Sequence, residues 1–337
     1  MRTLLSLALI SLCFSLTAQE TINYPYNPDG NADGNITVPD LADFLVNYGN
    51  TFTPTEIQID GVGLAEVIGQ LVDNQNLLQA TVEAQQAYIT QLQQYISISE
   101  ETVLISGANL QVVNGQGSTL ENVNGTGNII IGYDEEDLSG NADKSGSHNL
   151  VVGYGHTYSS FGGIVVGFNN SITGHFSSVS GGQNNTASGT TSSVSGGTYN
   201  NASGEVSSVS GGYSNTAEGA NSSVSGGESN TAEGDRSSVS GGYSNTASGY
   251  YSSVSGGQSN TASGNWSSVS GGNGNTASGE YSSVSGGFFN NASEYFSSVS
   301  GGAGNTASGE SSSVSGGASN TASGDYSSAS GQYDVND

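Results

Sequence analysis

Residues 237–251 read Ser-Ser-Val-Ser-Gly-Gly-Tyr-Ser-Asn-Thr-Ala-Ser-Gly-Tyr-Tyr, and the same fifteen-residue sentence recurs from about Val179 onward. Val179, Val194, Val209, Val224, Val239, Val254, Val269, Val284, Val299 and Val314 all hold its third place, and Ala329 takes that place in the last copy. A short, strict period is the mark of a solenoid, in which each repeat stacks on the next and none is stable alone. The repeat region is therefore expected to be a rod rather than a compact enzyme. Two short strands fit each repeat, one around Ser178–Gly181 and one around Asn185–Ser188. Alternation along a strand turns Val179 inward with Ser178 and Ser180 outward, and Ala187 inward with Thr186 and Ser188 outward. Gly181, Gly182 and Gly189 are expected at the corners, where positive φ or close backbone approach is needed. Asn185 recurs in every copy and is expected to stack as a ladder whose amides satisfy turn backbone. Eleven coils about 4.8 Å apart give roughly 50 Å of rod. The core is thin, one Val and one Ala per coil, so a roll of this composition gains from association with its own kind.

Working outward, three hydrophobic segments precede the regular copies: Asn128–Gly132, Asn149–Gly153 and Gly163–Gly167, with Leu110–Gly115 a possible fourth. Val151, Val165 and Val179 are spaced by fourteen, so the coil begins before its sequence becomes regular. Between Ile130 and Val151 lies an insertion with Asp134, Glu135, Glu136, Asp137 and Asp143, expected to bulge out as an acidic loop.

Before this region Leu64, Ile68, Leu71, Gln75, Leu78, Val82, Gln85, Ile89, Leu92 and Ile96 alternate at spacings of four and three, without proline. That is a heptad seam, and continuous helix over it would run about 55 Å. A coiled coil is expected, and with it an oligomer. β-Branched residues at one seam position and leucine at the other favour a parallel dimer, while Gln75 and Gln85 fix register; seam chemistry alone leaves dimer or trimer open.

Asp29-Gly-Asn31-Ala-Asp33-Gly34-Asn35-Ile36-Thr37-Val38-Pro39-Asp40 places oxygen ligands at positions 1, 3, 5, 7, 9 and 12, with glycine at 6 for the sharp turn. Asp29, Asn31, Asp33 and Asp40 would supply side-chain oxygens to Ca2+, Asn35 its carbonyl, and Thr37 a hydroxyl or bridging water. A short helix should follow, with Leu41, Phe44, Leu45 and Tyr48 on one face. The loop resembles those of EF-hands and, through its final Asp, those of dockerins. Met1 to about Ala18 has the charged start and short apolar run of a signal peptide. The only cysteine, Cys13, lies in that run, so no disulfide is expected in a processed chain.

The 337 residues carry 29 acidic groups against 3 Lys and Arg, a formal net charge of −26. Such a surface repels nucleic acid and anionic lipid, and no later segment is apolar enough to insert in a membrane. His148, His156 and His175 show no metal-ligand spacing, and no nucleophile elbow, phosphate loop or zinc signature occurs. The expectation is a non-enzymatic protein. Aromatics recur after the last glycine of a coil at Tyr251, Trp266, Tyr281, Phe296 and Tyr326, where they either cover the corner or form a surface for a glycan or protein partner. Others sit at the first corner: Tyr213, Tyr243 and Phe288. The Thr-x-Ser rows form a flat hydroxyl grid, similar to the faces of ice-binding solenoids, interrupted by Glu218 and Glu233.

The repeats resemble the heads of trimeric autotransporter adhesins, the YadA-like head family, with its motif N-S-V-A-I-G-x-x-A-x-A-x-G. Counting from Val179, Gly182 falls on the motif glycine, Asn185 on its first alanine, Ala187 on its second and Gly189 on its last glycine. The resemblance covers roughly Asn109 to Gly331. It implies a left-handed parallel β-roll, three rolls around one axis, hence a homotrimer, and a tendency to adhesion. The period here is fifteen rather than fourteen, Gly181 stands where the family has an inward Ile, and the helix precedes the roll; self-secretion and outer-membrane anchoring are therefore not implied. The expected organisation is signal peptide 1–18, calcium loop and helix 19–50, linker 51–61, coiled coil 62–101, irregular roll start 102–176 and regular repeats 177–337. The expected molecule is an all-β solenoid behind a coiled coil, a secreted or cell-surface fibre. An ice- or glycan-binding solenoid is the alternative.

Overall fold

The computed structural model describes residues 34–35, 37–38, 58–59, 62–120 and 122–331. The signal peptide, the ligands Asp29, Asn31, Asp33 and Asp40, and the short helix expected over 41–48 lie outside the described residues. Two units, Met1–Leu110 and Gln111–Asp337, are each described by themselves.

In the first unit, β1 (Gln58–Ile59) pairs antiparallel with β2 (Val62–Gly63). Helix α1 (Leu64–Gln93) follows, 30 residues with none buried. The seam residues Ile68, Leu71, Leu78, Val82, Ile89 and Leu92 are each about half exposed or more. The heptad was expected to run through Ile96, but the helix stops at Gln93. Ile96–Ser99 (β3) and Thr102–Ile105 (β4) instead form an antiparallel hairpin, whose turn is helped by Glu100 at φ 48°. Alternating β-branched residues favour a pleated strand over helix here.

The second unit is a parallel solenoid of about 12 turns. Its two sheets hold 14 and 12 strands. The first starts with β5 (Ile129–Ile131), β6 (Leu150–Tyr154) and β8 (Ile164–Phe168), then takes one Ser-Val strand per coil. The second starts with β7 (Thr157–Tyr158) and β9 (Ser171–Ile172), then takes one Thr-Ala or Asn-Ala strand per coil. Three of the expected strands form; Leu110–Gly115 does not. Strands in the regular coils are only two residues long, and register is strict: Ser178 faces Ser193 and Val179 faces Val194. The inward alternation holds. Every inward strand Val from Val165 to Val314 and every inward strand Ala from Ala187 to Ala322 is at most 3 % exposed.

With so little apolar area per coil, directed hydrogen bonds must supply much of the cohesion. The asparagine row does this. The backbone N–H of Asn245 donates to Asn230 Oδ1 at 3.0 Å, and Asn245 Nδ2 donates to the carbonyls of Gly241 and Gly257, both at 2.9 Å. Asn245 Oδ1 in turn accepts the N–H of Asn260 at 3.0 Å. Each asparagine thus ties its own coil to both neighbours, and the same bonds run along the row from Asn185 to Asn305. A different row is less well satisfied: the hydroxyls of Ser192, Ser207, Ser222, Ser237, Ser252, Ser267 and Ser282 are buried without a partner.

Gly182 and Gly189 meet the corner expectation, and Gly181 does not. Gly182 does adopt a left-handed φ of 84°, and a Cβ there would overlap the Gly197 carbonyl. Gly189 has no positive φ, but a Cβ would collide with Gly204 of the next coil. At Gly181 a Cβ would meet only the Ser195 carbonyl, at an unstrained 3.9 Å. Most of the other left-handed positions fall on non-glycine residues: the residue before each Asn, such as Ser244 (φ 55°), which is glycine only at Gly274 and Gly304, and the residue before each buried Ser, such as Thr191 (φ 57°) and Val206 (φ 58°). A β-branched residue there costs roughly 1–2 kcal/mol. Its N–H is bonded backwards along the rod, Val206 to the Thr190 carbonyl at 2.9 Å, so stacking of coils holds the strained form.

The acidic insertion does not bulge out. It folds back onto the start of the roll. Tyr158 is buried in the place that alanine takes later, and its hydroxyl donates to Asp134 Oδ2 at 2.9 Å. Burial, then the Asp134 bond, pushes its pKa well up. Lys144 lies 3.6 Å from Asp134 and 3.4 Å from Glu136 and donates to the Glu135 carbonyl at 2.9 Å. One cation thus holds the turn of like charges together.

His156 occupies the asparagine place in the first coil of the row. Its Nε2 contacts the Val152 carbonyl at 3.0 Å, as asparagine amides contact the glycine four residues back, and its Nδ1 accepts the Asn170 N–H at 3.2 Å. Only the neutral ring can do both. Burial, opposed by those bonds, pushes its pKa below the ordinary 6.5.

Two predictions follow from these rows. Asn245→Ala should cost about 2–4 kcal/mol in denaturant unfolding, because it strips a buried N–H of its acceptor, whereas Ser252→Ala, which removes an unpaired buried hydroxyl, should be neutral or stabilising; equal losses would refute the assignment. For His156, the unfolded chain takes up the proton more readily than the folded one. Its contribution is complete above pH 6.5 and is lost as pH falls through the depressed folded value. Protection factors of the amides around Asn170 should fall over that range, and His156→Asn should flatten the response.

Candidate functional site: an aromatic row on one corner

The residue before each buried serine points out of the roll. In four successive coils that place holds Tyr251, Trp266, Tyr281 and Phe296, all in the left-handed conformation at φ 55–58°. Parallel, in-register coils put these rings one above another. Tyr251 and Trp266 stack with centroids 6.1 Å apart, Trp266 and Tyr281 at 5.0 Å, and Tyr281 and Phe296 at 4.9 Å, with interplanar angles of 7–17°. Tyr250 and Tyr295 brace the row edge-on. Arg236 closes one end, its guanidinium 5.1 Å from the centre of the Tyr251 ring, with Nη1 donating to both Tyr250 Oη and Tyr251 Oη at 2.6 Å. Four of the five aromatics singled out in the sequence therefore come together. Tyr326 does not join them: Ser311 holds the intervening place, and Tyr326 is 77 % exposed.

Because the rings lie face to face, each covers its neighbour, and the row offers edges and hydroxyls to solvent. A sugar stacks on a ring face, so the inside of this row is a poor platform for it. What the row does physically is add stacking, roughly 0.5–1.5 kcal/mol per pair, at corners whose backbone is strained. The aromatics of the first corner are dispersed: Tyr213, Tyr243 and Phe288 are about half exposed and occupy non-adjacent coils.

The other residues expected to act fall as follows. Gly34 has φ 82°, the left-handed turn that position 6 of a calcium loop requires, and Asn35 and Thr37 are exposed. Among the described residues no three His, Cys, Asp or Glu side chains gather into a metal site. The outward row is threonine from Thr216 to Thr276, paired in register, with Glu218 and Glu233 in the neighbouring rank. No helix among the described residues is long and apolar enough to cross a membrane.

Sequence reasoning missed Arg236 as a cap and Tyr250 and Tyr295 as braces; the available signal was Arg236 one full period of fifteen before Tyr251, and Tyr250 and Tyr295 one residue before row members. No protein-family model matches this chain, and no curated protein matches it.

Trp266 is the only tryptophan, so its emission reports the row directly. Tyr281→Ser uncovers one ring face and should red-shift that emission and increase its quenching by acrylamide. Serine occupies the equivalent place at Ser311 (φ 54°), so the coil should still fold. Unchanged emission would exclude the stacked row.

Proposed function

We propose that this chain is the protomer of an exported, non-enzymatic fibre that presents a rigid β-roll at a cell surface or in the extracellular medium. The observation that carries this reading is the exposed seam of α1. Thirty residues of helix bury none of their side chains, while Ile68, Leu71, Leu78, Val82, Ile89 and Leu92 repeat along it. A lone amphipathic helix of this kind gains most of its stability by packing that face, and heptad spacing suits a coiled coil of identical chains. A cleft of about 570 Å³ between the end of α1 and β3, lined by Ile89, Leu92, Ile96 and Ile98, extends the same apolar surface. The resemblance of the repeats to YadA-like heads favours three chains over two and an adhesive role. The Asp29–Asp40 loop is read as one calcium site, in keeping with the left-handed Gly34, and Met1–Ala18 as the export signal.

The alternative, a solenoid that binds ice or glycan through its outward rows, draws on the regular Thr216–Thr276 rank. Glu218 and Glu233 break the flatness that an ice-binding face needs, so the fibre reading is preferred.

Light scattering on the chain without its first 18 residues tests assembly: a mass of three chains is expected, reduced to one by Leu78→Asp. A wild-type monomer would overturn the reading. Calcium titrated into the same protein should release heat that Asp33→Ala removes.

A further inference from the structure

The back-folded insertion builds a wall beside the roll. Glu136 and Asp137 lie against Gly155, whose left-handed φ of 67° and lack of side chain allow that approach. Between this wall and the second sheet is a concavity of about 340 Å³, at the small end of the range of roughly 300–1,000 Å³ for small-molecule sites. Asp137 forms one side and Tyr199 the other, with Asn169 and Asn184 along the corner and Thr157 and Ser171 on the floor.

The polar groups here are held in place but incompletely used. Thr157, Ser171 and Thr186 are paired in register on adjacent coils, and their hydroxyls have no hydrogen-bond partner among the described residues. Asn169 Nδ2 donates to Asn184 Oδ1, which fixes the Asn184 amide and leaves its Nδ2 available. Asp137 Oδ1 accepts three bonds from Ser139 and Asn141 at 2.7–3.0 Å, leaving Oδ2 available. The Tyr199 ring is 54 % exposed and braced edge-on by Tyr213 at 5.8 Å.

We propose that this concavity binds a neutral saccharide unit. Neutral donors and acceptors at fixed spacing, one carboxylate oxygen and one bordering aromatic ring match a polyhydroxylated ring with one less polar face. Asp137 and Glu136 repel anions, and an apolar ligand would leave the amide and hydroxyls unpaired. The pocket is complete within one chain, so it stands or falls apart from fibre assembly, which light scattering tests separately.

Asn184→Ser and Tyr199→Ser are suitable probes, because Ser214, Ser229 and Ser244 hold the same corner place at φ 54–59° and the roll should stay intact. Saturation-transfer NMR on the full chain, with D-glucose, D-galactose, D-mannose and N-acetyl-D-glucosamine in turn, should show transfer to at least one sugar. Each variant should weaken that binding about tenfold, as expected for one lost interaction of about 1.4 kcal/mol, and Tyr326→Ser should leave it unchanged. Transfer from none of the four, or equal transfer in both variants, would overturn the proposal. Calcium displacing the sugar signal and losing that effect in Asp137→Asn would make this a cation site and overturn it as well.

Discussion

The asparagine row is the interaction on which the roll depends. Each coil buries one valine and one alanine, far too little apolar area to order fifteen residues by itself. The asparagine amide makes up part of the difference by closing the corner of its own coil and holding both neighbouring coils in register. An amide suits this because it carries a double acceptor and two donors on one rigid plane. The histidine that begins the row shows what the position requires: one donor and one acceptor facing opposite ways.

That linkage lets the corners hold strained backbone. Left-handed residues recur in the regular coils on side chains that rarely adopt this form, including Thr191 and Val206. They are held by bonds to the coil before, and in one stretch by ring stacking as well. Four successive coils fill the corner with stacked Tyr, Trp and Phe; other coils hold Thr191, Val206, Asn221, Arg236, Ser311 and Tyr326 there. Irregularity is accommodated locally. Glu294 stands where other coils have glycine, and its N–H turns to Ser297 Oγ at 3.0 Å instead of bonding onward to the next coil.

The same logic locates function. Inward positions and the second corner glycine are fully committed to holding the coil, so chemistry can vary only at outward corners, in the outward rows and in the insertion. Variation is concentrated there, and so are the aromatic row and the walled concavity. The first unit has a different problem: its helix and hairpin carry apolar side chains that one chain leaves exposed, which is the physical basis for reading it as an assembly element.

The period, the inward Val and Ala, and the recurrence of Asn were sufficient in sequence to specify a parallel solenoid, because strict repetition leaves stacking as the only way to bury those residues. The seam likewise marked α1 and overran its end into β3. The tertiary structure decided what depends on neighbours in adjacent coils. It put left-handed backbone on Val206 and its equivalents as well as on Gly182, because the bonds that enforce this conformation at Val206 reach the preceding coil. It selected Tyr251, Trp266, Tyr281 and Phe296 as one row and left Tyr326 apart, since a single intervening serine breaks ring contact. It folded the acidic insertion inward, where Lys144 and Tyr158, distant in sequence from Asp134, could meet it. No local pattern encodes those distances, and for that reason the concavity beside Asp137 was invisible until the coils were stacked.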